Sequence, residues 1–384
     1  MIGADDVLIL LALLPGGEAR FWSSRAVIDP RVTPTEIARR TGLSRSTVQS
    51  RLGSWREQGF LTGSEVWPNP KLFGANLATI DTTLGPGVAV DGILDSLSKV
   101  EGVLSARDYL DEDGRRLRIF LVDDGPSGLE RHTRLIQHIS GSVNRLRAEP
   151  YWIPEPSCML TPLDWRIVAC YRAYPDDTLI QNSSRLGIGP RTLARRRDRL
   201  LDSHALWWLL STDNSKQPIA DFHVSLRDPS RRAEVKSFLD GEMGGWVPCS
   251  ADGFGVPPPG SSSLIVGLTF VDSPAMLDSL ARRLAGLPAV SSVRWRIPCG
   301  FRSFSEWFDR RIGARLQNSW LSSNPATQPH GLQDGSLIVK TPSSLPVSFG
   351  SPSELPFLIL PSSRGDARPS GDDEGPTPVP GRRR

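Results

Sequence analysis

The stretch EIARRTGLSRSTVQSRLGSWREQGFL, from Glu36 to Leu61, decides how the N-terminal part of the chain folds. The segment Thr33-Pro34-Thr35-Glu36, which leads into this stretch, has the pattern of a capping box with proline in the first helical turn. It predicts a helix over Pro34 to Arg40. Gly42 then breaks that helix. The pattern is typical of the first half of a helix-turn-helix.

A second helix is predicted from Arg45 to about Gln58, with Ser44 as its cap. Its apolar residues recur every three to four positions, at Val48, Leu52 and Trp55. The β-prone segment Phe60 to Trp67 would supply a wing, and Ala4 to Leu14 the first helix of the module. The connection Pro15 to Val32 is longer than a compact module needs, so it is either a surface insertion or a failed assignment.

A weak internal repeat relates this stretch to a later one. Glu36 to Thr62 aligns without gaps onto Gln181 to Trp207. The offset is 145 residues, which is the difference between the numbers of the aligned Gly42 and Gly187. The identical pairs include Arg40/Arg185, Gly42/Gly187, Thr47/Thr192, Arg51/Arg196 and Leu61/Leu206. The later helices are predicted at Thr161 to Arg172, Thr178 to Leu186 and Pro190 to Asp202. We interpret the repeat as a duplicated two-domain unit.

Each module is followed by a segment in which strands and helices alternate. From Asn76 to Tyr151 the order is βαββαβ, which is the ferredoxin-like order. The strands are predicted at Leu77 to Thr82, Val103 to Leu110, Leu117 to Val122 and Val143 to Glu149, and the helices at Val88 to Lys99 and Ser127 to Ile139. The region Ile219 to Ile297 repeats the order. Its strands are predicted near Ala220 to Leu226, Trp246 to Ala251, Ser263 to Val271 and Val290 to Arg296, and its helices near Ser230 to Leu239 and Pro274 to Leu284.

The predicted fold class is α+β, with tandem winged helix-turn-helix modules, each followed by a ferredoxin-like βαββαβ domain, and a disordered C-terminal tail. The predicted domains are 1–74, 75–155, 156–215, 216–316 and 317–384. A short helix from Ser303 to Leu316 closes the folded part, and the serine-, proline- and glycine-rich tail follows. Within the tail, Leu355 to Pro361 is an apolar island that either docks on a partner or on the chain itself, or is incidental.

Composition says little about partners for the chain as a whole, because its 384 residues carry a formal net charge of only +3. The four cysteines form no CxxC pair, which predicts a reducing compartment and no metal site. Val7 to Leu14 is too short for a membrane span and lacks a positive charge before it. We expect a cytoplasmic protein that does not bind membranes.

Positive charge is concentrated in the two predicted recognition helices. Glu36 to Thr62 has five arginines against two glutamates, and Gln181 to Trp207 has six arginines against two aspartates. Such clustering is typical of phosphate binding, while arginine and glutamine can also grip guanine and adenine. The predicted contacts to double-stranded DNA are Ser44, Arg45, Ser46, Gln49, Ser50, Arg51, Arg56, Arg191, Thr192, Arg195, Arg196 and Arg199.

Two alternatives to DNA contact stay open for these helices. Arginine-rich helices are often only solvated faces. Arg197 stands where the first copy has the apolar Leu52, so the second module could be a copy that serves packing alone. The tryptophans near the wings are predicted to pack in the core rather than stack on bases, and these are Trp55, Trp67, Trp207 and Trp208.

The quoted helix-turn-helix and the WPNPKLFG that follows it resemble the leucine-responsive regulatory protein/AsnC family of prokaryotic transcription regulators. The resemblance covers Thr33 to Glu149, and Leu160 to Ile297 more loosely. It implies homo-oligomerisation through the ferredoxin-like domains and leaves room for a small-molecule effector, often an amino acid. The family's glycine-aspartate ligand segment is not clearly present at Asp108 to Gly114. The duplication would let one chain imitate the family's dimer.

Two other classes of function compete with the regulator. Siroheme decarboxylases are similar to the same family and also occur as fused pairs, but they need basic or imidazole groups that converge on a tetrapyrrole. The five histidines are scattered, and His132 and His138 are expected to be exposed on one helix. We therefore predict no enzyme activity, no catalytic residues, no cofactor and no metal. A scaffold that does not bind DNA is the third reading, and it predicts no salt-dependent DNA affinity.

Overall fold

The chain is a mixed arrangement of helices and antiparallel sheets, and the predicted α+β class is confirmed. The computed structural model describes residues 4–15, 21–22, 25–85, 87–111, 113–123, 125–141, 146–214, 216, 219–243, 246–249, 263–271, 273–304 and 306–323. Its helices are α1 (Ala4–Leu13), α2 (Pro34–Thr41), α3 (Arg45–Glu57), α4 (Val90–Leu97), α5 (Pro126–Ser140), α6 (Pro162–Ala173), α7 (Leu179–Leu186), α8 (Pro190–Asp202), α9 (Arg232–Met243), α10 (Pro274–Ala285) and α11 (Glu306–Ser323). Its strands are β1 (Phe21–Trp22), β2 (Arg25–Ile28), β3 (Leu61–Pro68), β4 (Asn76–Thr83), β5 (Val103–Asp111), β6 (Gly114–Asp123), β7 (Arg147–Tyr151), β8 (Leu206–Thr212), β9 (Ile219–Leu226), β10 (Val247–Cys249), β11 (Leu264–Phe270) and β12 (Val290–Ser303).

The helix boundaries follow the capping signals in the sequence. Thr33 accepts a hydrogen bond from the backbone N–H of Glu36 and so caps α2, and Gly42 ends that helix in the left-handed conformation, with φ 74°. Gly187 ends α7 in the same way, with φ 67°. Helices α7 and α8 begin and end 145 residues after α2 and α3, as the numbers of their end residues show. The predicted helix positions are thus confirmed, while the duplication that would explain them stays a prediction.

Strands β3 and β8, which follow the two predicted modules, form one four-stranded sheet with β1 and β2, in the order β1-β2-β8-β3, and we call it the wing sheet. Strand β8 of the second module lies in the middle and pairs antiparallel with β2 on one edge and with β3 on the other. The connection Pro15 to Val32 is therefore an insertion that contributes two strands, β1 and β2, to this sheet. Its short run of β-prone residues includes Val27, which is buried in the core.

The second sheet has eight strands in the order β10-β11-β9-β12-β5-β6-β4-β7. Strands β4 to β7 and strands β9 to β12 each form one half of it, and each half has the element order βαββαβ. Helices α4 and α5 cover one face of the first half, and α9 and α10 cover the same face of the second. The sheet is continuous because β12 pairs antiparallel with β9 and with β5.

Strand β12 is longer than the sequence predicts. It was expected to end at Arg296, but it continues to Ser303. Its first part pairs with β9 and its last part with β5, with a register shift between Pro298 and Gly300. The additional residues join the two halves of the chain.

Each predicted module packs on the half of the eight-stranded sheet that follows the other predicted module in the chain. Buried residues of α1, α2 and α3 form one core with Ile219, Val247 and Leu268 of the second half. Residues of α6, α7 and α8 form another core with Leu77 and Phe120 of the first half. Trp55, Trp67, Trp207 and Trp208 are buried in these two cores, as predicted.

The last described element, α11, differs from its prediction at both ends, since it runs from Glu306 to Ser323 rather than from Ser303 to Leu316. Trp307 and Phe308 on it are buried beside Trp67, so packing on the core stabilises the helix. The rest of the predicted tail, with its apolar island Leu355 to Pro361, lies outside the described residues. In the part of the chain that is described, no helix is long and apolar enough to cross a membrane.

Candidate nucleic-acid interface

Helix α3 has one buried face and one exposed face. Val48, Leu52 and Trp55 are buried, and the ring of Trp55 meets Phe60 edge to face at 5.9 Å between centroids. The opposite face exposes Arg45, Ser46 and Ser50, and Gln49 is half-buried. The apolar face fixes the helix on the core and leaves polar groups directed at solvent.

The first turn of α3 is held by hydroxyl groups. Ser44 accepts a hydrogen bond from the backbone N–H of Thr47 at 3.0 Å, and its Oγ lies 2.8 Å from the hydroxyls of both Ser46 and Thr47. No ion pair joins Arg45 to any other residue within the described ranges. Its guanidinium is therefore available to an external anion.

The other two predicted arginines of the first module are partly engaged. Arg51 lies 3.7 Å from the carboxylate of Asp6, a buried residue of α1, but keeps 47% of its side chain exposed. Burial lowers the pKa of Arg56, and the charge of Asp176 in the second module opposes that shift. Arg51 still faces solvent, whereas Arg56 contributes to the contact between the modules.

Helix α8 presents its predicted residues in two groups. Leu193 and Leu200 are buried, so the helix has an apolar face like that of α3. Arg191 and Arg195 are exposed and Thr192 is half-buried. Neither exposed arginine forms an ion pair with another residue that the structure describes. Both are therefore available to an external anion.

Arg196 and Arg199 instead form ion pairs with Asp164. Arg196 donates to its Oδ1 at 2.9 Å, and Arg199 donates to its Oδ2 at 2.5 Å. Asp164 is fully buried and also forms the capping box of α6 with Thr161. Burial acts to raise the pKa of Asp164, but its hydrogen bonds from Thr161, Arg196 and Arg199 lower it overall. The two arginines thus stabilise the module, although Arg199 keeps 44% of its side chain exposed.

An open groove of about 1030 Å³ runs along α8. Its lining includes Arg191, Arg195 and Arg199, which follow one another at intervals of four residues and so share one side of the helix. Arg197, which replaces the buried Leu52 of the first copy, is half-buried and pairs with Asp198. Arg197 therefore does not belong to the exposed row of arginines along the groove.

A cluster of charged side chains occupies the middle of the eight-stranded sheet. It lies on the face opposite α4, α5, α9 and α10, because side chains alternate along a strand. Cross-strand registers place Arg118 beside Asp81 and Arg107, and Arg296 beside Asp221. We call it the seam cluster, because it spans the junction of β5 and β12, and its members are Asp81, Arg107, Tyr109, Arg118, Asp221, His223 and Arg296.

The contacts within the seam cluster are unequal. Arg118 donates to both oxygens of Asp81, at 2.7 and 2.6 Å, and Tyr109 donates to Asp81 at 3.3 Å. Arg107 comes within only 4.0 Å of the carboxylate of Asp221. The guanidinium of Arg296 lies over the ring of Tyr109, 5.2 Å from its centroid. The pair of Arg118 and Asp81 is therefore hydrogen-bonded, whereas the pair of Arg107 and Asp221 is not.

Sequence reasoning missed the seam cluster, although a signal for it exists. Charged or polar residues alternate with apolar ones at Asp221 and His223 in β9, at Arg294 and Arg296 in β12, and at Arg116 and Arg118 in β6. A period of two places each pair on one face of its strand. The five histidines form no cluster among themselves, and the sequence alone does not show that arginines surround His223.

The expectation that His132 is exposed is wrong. It is 7% exposed, and its Nε2 lies 2.9 Å from the backbone oxygen of Glu101. The reason is its place on α5 beside the buried Ile136, at a spacing of four residues that directs both toward the sheet. His138 is exposed, as expected.

We expect His223 to make stability depend on pH in the acidic range. Burial, followed by the charges of Arg296 and Arg118, lowers its pKa from 6.5 to about 3. The unfolded chain then binds a proton below pH 6.5 that the folded chain does not bind, so stability falls as the pH drops from there toward 3. When the pH falls from 7 to 5, the free energy of unfolding of a His223→Gln variant should decrease by up to about 2 kcal/mol less than that of the wild type.

Urea unfolding at the two pH values measures this difference. His138→Gln is the matched control, because that histidine is exposed, and its pH dependence should equal that of the wild type. An unchanged pH dependence in His223→Gln would contradict the prediction.

Residues 6–64 match the model of the IclR helix-turn-helix domain. The match begins inside α1, includes α2 and α3, and ends within β3. The chain therefore carries a helix-turn-helix, the class of domain that lays its second helix in the major groove of DNA. No curated protein matches the sequence of this chain.

Three solved structures are similar to all or part of the chain. The siroheme decarboxylase NirDL has 13% identity over 82% of this chain and 99% of its own, with a TM-score of 0.43. The leucine response regulatory protein LrpA of Mycobacterium tuberculosis has 24% identity over 42% of this chain and 99% of its own, with a TM-score of 0.26. AsnC of E. coli has 18% identity over 42% of this chain and 97% of its own, with a TM-score of 0.27. Likenesses this distant do not show what the chain does.

Proposed function

We propose that this protein is a sequence-specific transcription regulator that binds double-stranded DNA, and that it is not an enzyme. The observation that carries the proposal is the outward face of α3 in the matched helix-turn-helix domain. Arg45, Ser46 and Ser50 are exposed there, and Arg45 has no ion pair with any residue in the described part of the chain. A helix docked in this manner offers its first turns to base edges.

The two helices would have different tasks. Arg45 and Gln49 have the donor and acceptor geometry to bind guanine and adenine through two hydrogen bonds each. On α8 the exposed Arg191 and Arg195 lie beside a groove lined with further arginine and suit phosphate contacts. The first module would then read sequence, and the second would mainly add affinity.

One chain would present both recognition helices to DNA. The shared wing sheet joins the two modules, and Arg31 reinforces the contact by donating to Asp202 of α8 at 2.7 Å. Because the helices differ in sequence, we expect an asymmetric operator with half-sites about one helical turn apart, roughly 34 Å. Homo-oligomerisation through the ferredoxin-like halves and control by a small-molecule effector are further parts of the proposal.

Fluorescence anisotropy with a labelled duplex from the protein's own promoter, across a salt series, tests this function. Arg45→Ala/Gln49→Ala should weaken specific binding by at least about tenfold, since a good bidentate contact contributes about 1–3 kcal/mol of discrimination. Arg191→Ala/Arg195→Ala should weaken binding to all sequences alike and reduce the salt slope by about 2.

The control variant is Arg134→Ala, which removes an arginine of α5 whose side chain is 77% exposed and which lies outside both modules. It should bind DNA like the wild type. A protein that ignores DNA even at low salt would overturn the proposal and favour an assembly scaffold.

A further inference from the structure

A buried aspartate occupies the same place in both predicted modules. Asp6 is the third residue of α1 and Asp164 is the third residue of α6, and they are 1% and 0% exposed. Each lies close to the seventh residue of the helix that carries the predicted DNA contacts, which is Arg51 in α3 and Arg196 in α8. The gapless repeat does not include Asp6, because it begins at Glu36. The matching pairs are therefore an additional similarity between the two modules.

Asp164 also holds a second arginine, Arg199, which lies about one turn further along α8. Nη2 of Arg199 donates to Oδ2 of Asp164 at 2.5 Å. No other hydrogen bond joins the guanidinium of Arg199 to the residues that the structure describes. Its side chain is 44% exposed and lines the groove along α8. One nitrogen of this guanidinium is thus held inside the module, while the others are available to an external acceptor.

The three arginines of the groove differ in what phosphate binding costs them. Arg191 and Arg195 form no ion pair with the described residues, so each loses rotamer freedom when it binds a phosphate. Arg199 is already ordered, because the carboxylate of Asp164 holds it. A planar guanidinium that binds a carboxylate with one nitrogen can still donate to a phosphate oxygen with another. Arg199 is therefore the arginine of this row that is best prepared to bind an anion.

We propose that Asp164 is a positioning residue for phosphate binding, which acts by holding the guanidinium of Arg199 at the groove. Asp6 has the same task toward Arg51 in the first module. There Nε of Arg51 lies 3.7 Å from Oδ1 of Asp6, and the arginine side chain is 47% exposed. Because the contact of Asp164 is the closer one, its effect is the larger. The inference deepens the proposed function, on which it rests for the identity of the phosphate ligand.

The sign of the effect distinguishes positioning from the charge of the carboxylate alone. Asp164→Asn removes a negative charge close to a surface that binds an anion, so charge alone predicts tighter DNA binding. Positioning predicts weaker binding, because Arg199 loses the group that holds it. We expect the affinity for a random-sequence duplex to fall about tenfold, as for a lost hydrogen bond between charged groups, and the salt slope to shrink by up to about 1.

Fluorescence anisotropy across a salt series measures the affinity and the slope, at a temperature at which urea unfolding shows each variant to be folded. The matched control is Asp198→Asn, because Asp198 lines the same groove but pairs with Arg197. It should bind DNA as tightly as the wild type or more tightly. Asp6→Asn should weaken binding by a smaller factor than Asp164→Asn.

A double-mutant cycle shows whether Asp164 acts through Arg199. In an Arg199→Ala background, Asp164→Asn should cause no further loss of affinity, because no guanidinium remains at the groove to be held. A full further loss in this background would overturn the inference. Equal or tighter duplex binding by Asp164→Asn alone, or an equal loss in Asp198→Asn, would overturn it as well.

Pyrophosphate is a probe that keeps this inference separate from DNA recognition. Thermal unfolding of the full chain without DNA follows the stabilisation that an anion bound to the folded state produces. The wild type should be stabilised more than Asp164→Asn. If this holds while the wild type ignores the duplex, the positioning role is supported and the proposed function is overturned. If the wild type responds to neither the duplex nor pyrophosphate, both are overturned.

Discussion

Asp164→Ala is expected to destabilise the helical group α6 to α8 by about 3 kcal/mol. The substitution removes the capping box of α6 together with the ion pairs to Arg196 and Arg199. Asp164 is completely buried, so water cannot replace it. The expected cost stays at the lower end for a broken buried pair, because the two arginines are 26% and 44% exposed and can be solvated.

The midpoint of urea unfolding measures this loss. Asp202→Ala is the matched control, since Asp202 pairs with Arg31 at the surface and has 65% of its side chain exposed. Exposed pairs of this kind contribute about 0–1 kcal/mol. Asp164→Asn separates the two effects, because the amide oxygen can still accept from Thr161 while the charge is lost. A midpoint for Asp164→Ala equal to that of Asp202→Ala would refute the role assigned to this carboxylate.

Gly267→Ala is expected to destabilise the second half of the eight-stranded sheet by about 3 kcal/mol. Gly267 lies in β11 directly opposite Phe222 of β9. A Cβ atom at this position would lie 2.5 Å from the ring of Trp246 and closer than 3.0 Å to the ring of Phe222. Both rings are buried, so neither can move away without disturbing the core.

Gly300→Ala is the control in the same sheet, because its Cβ would lie 3.9 Å from the Cβ of Asp108, an ordinary contact. Urea unfolding of the two variants compares the costs directly. A double-mutant cycle with Trp246→Leu adds a second test, since the smaller side chain makes room and should reduce the effect of Gly267→Ala. Equal stabilities for Gly267→Ala and Gly300→Ala would contradict the steric argument.

Local signals in the sequence were sufficient to locate the helix-turn-helix elements. A proline in the first turn, a threonine or serine before it and a glycine after it determine where α2 begins and ends, and each acts within a few residues. In the same way, Thr178 caps the start of α7 and Gly187 ends it. The offset of the weak repeat therefore locates α7 and α8 correctly.

Interactions between distant residues account for what the sequence did not predict. The pairing of β2 with β8, and the continuation of β12 to Ser303, depend on partners more than 100 residues away. Such pairing leaves little trace in local propensity, because β-propensity depends on the neighbouring strands. The ion pairs that engage Arg196 and Arg199 have the same origin, since their partner Asp164 lies on another helix.

The shared wing sheet has a consequence for how the protein is synthesised. All residues of β3 have been synthesised once the ribosome passes Pro68, but the partner strand β8 begins only at Leu206. At about 5–20 residues per second, a ribosome needs roughly 7 to 28 s to make the intervening chain. During this time β3 offers unpaired backbone groups to other nascent chains. We expect the N-terminal half to depend on chaperones until β8 emerges, and its yield to fall when the two halves are expressed as separate polypeptides.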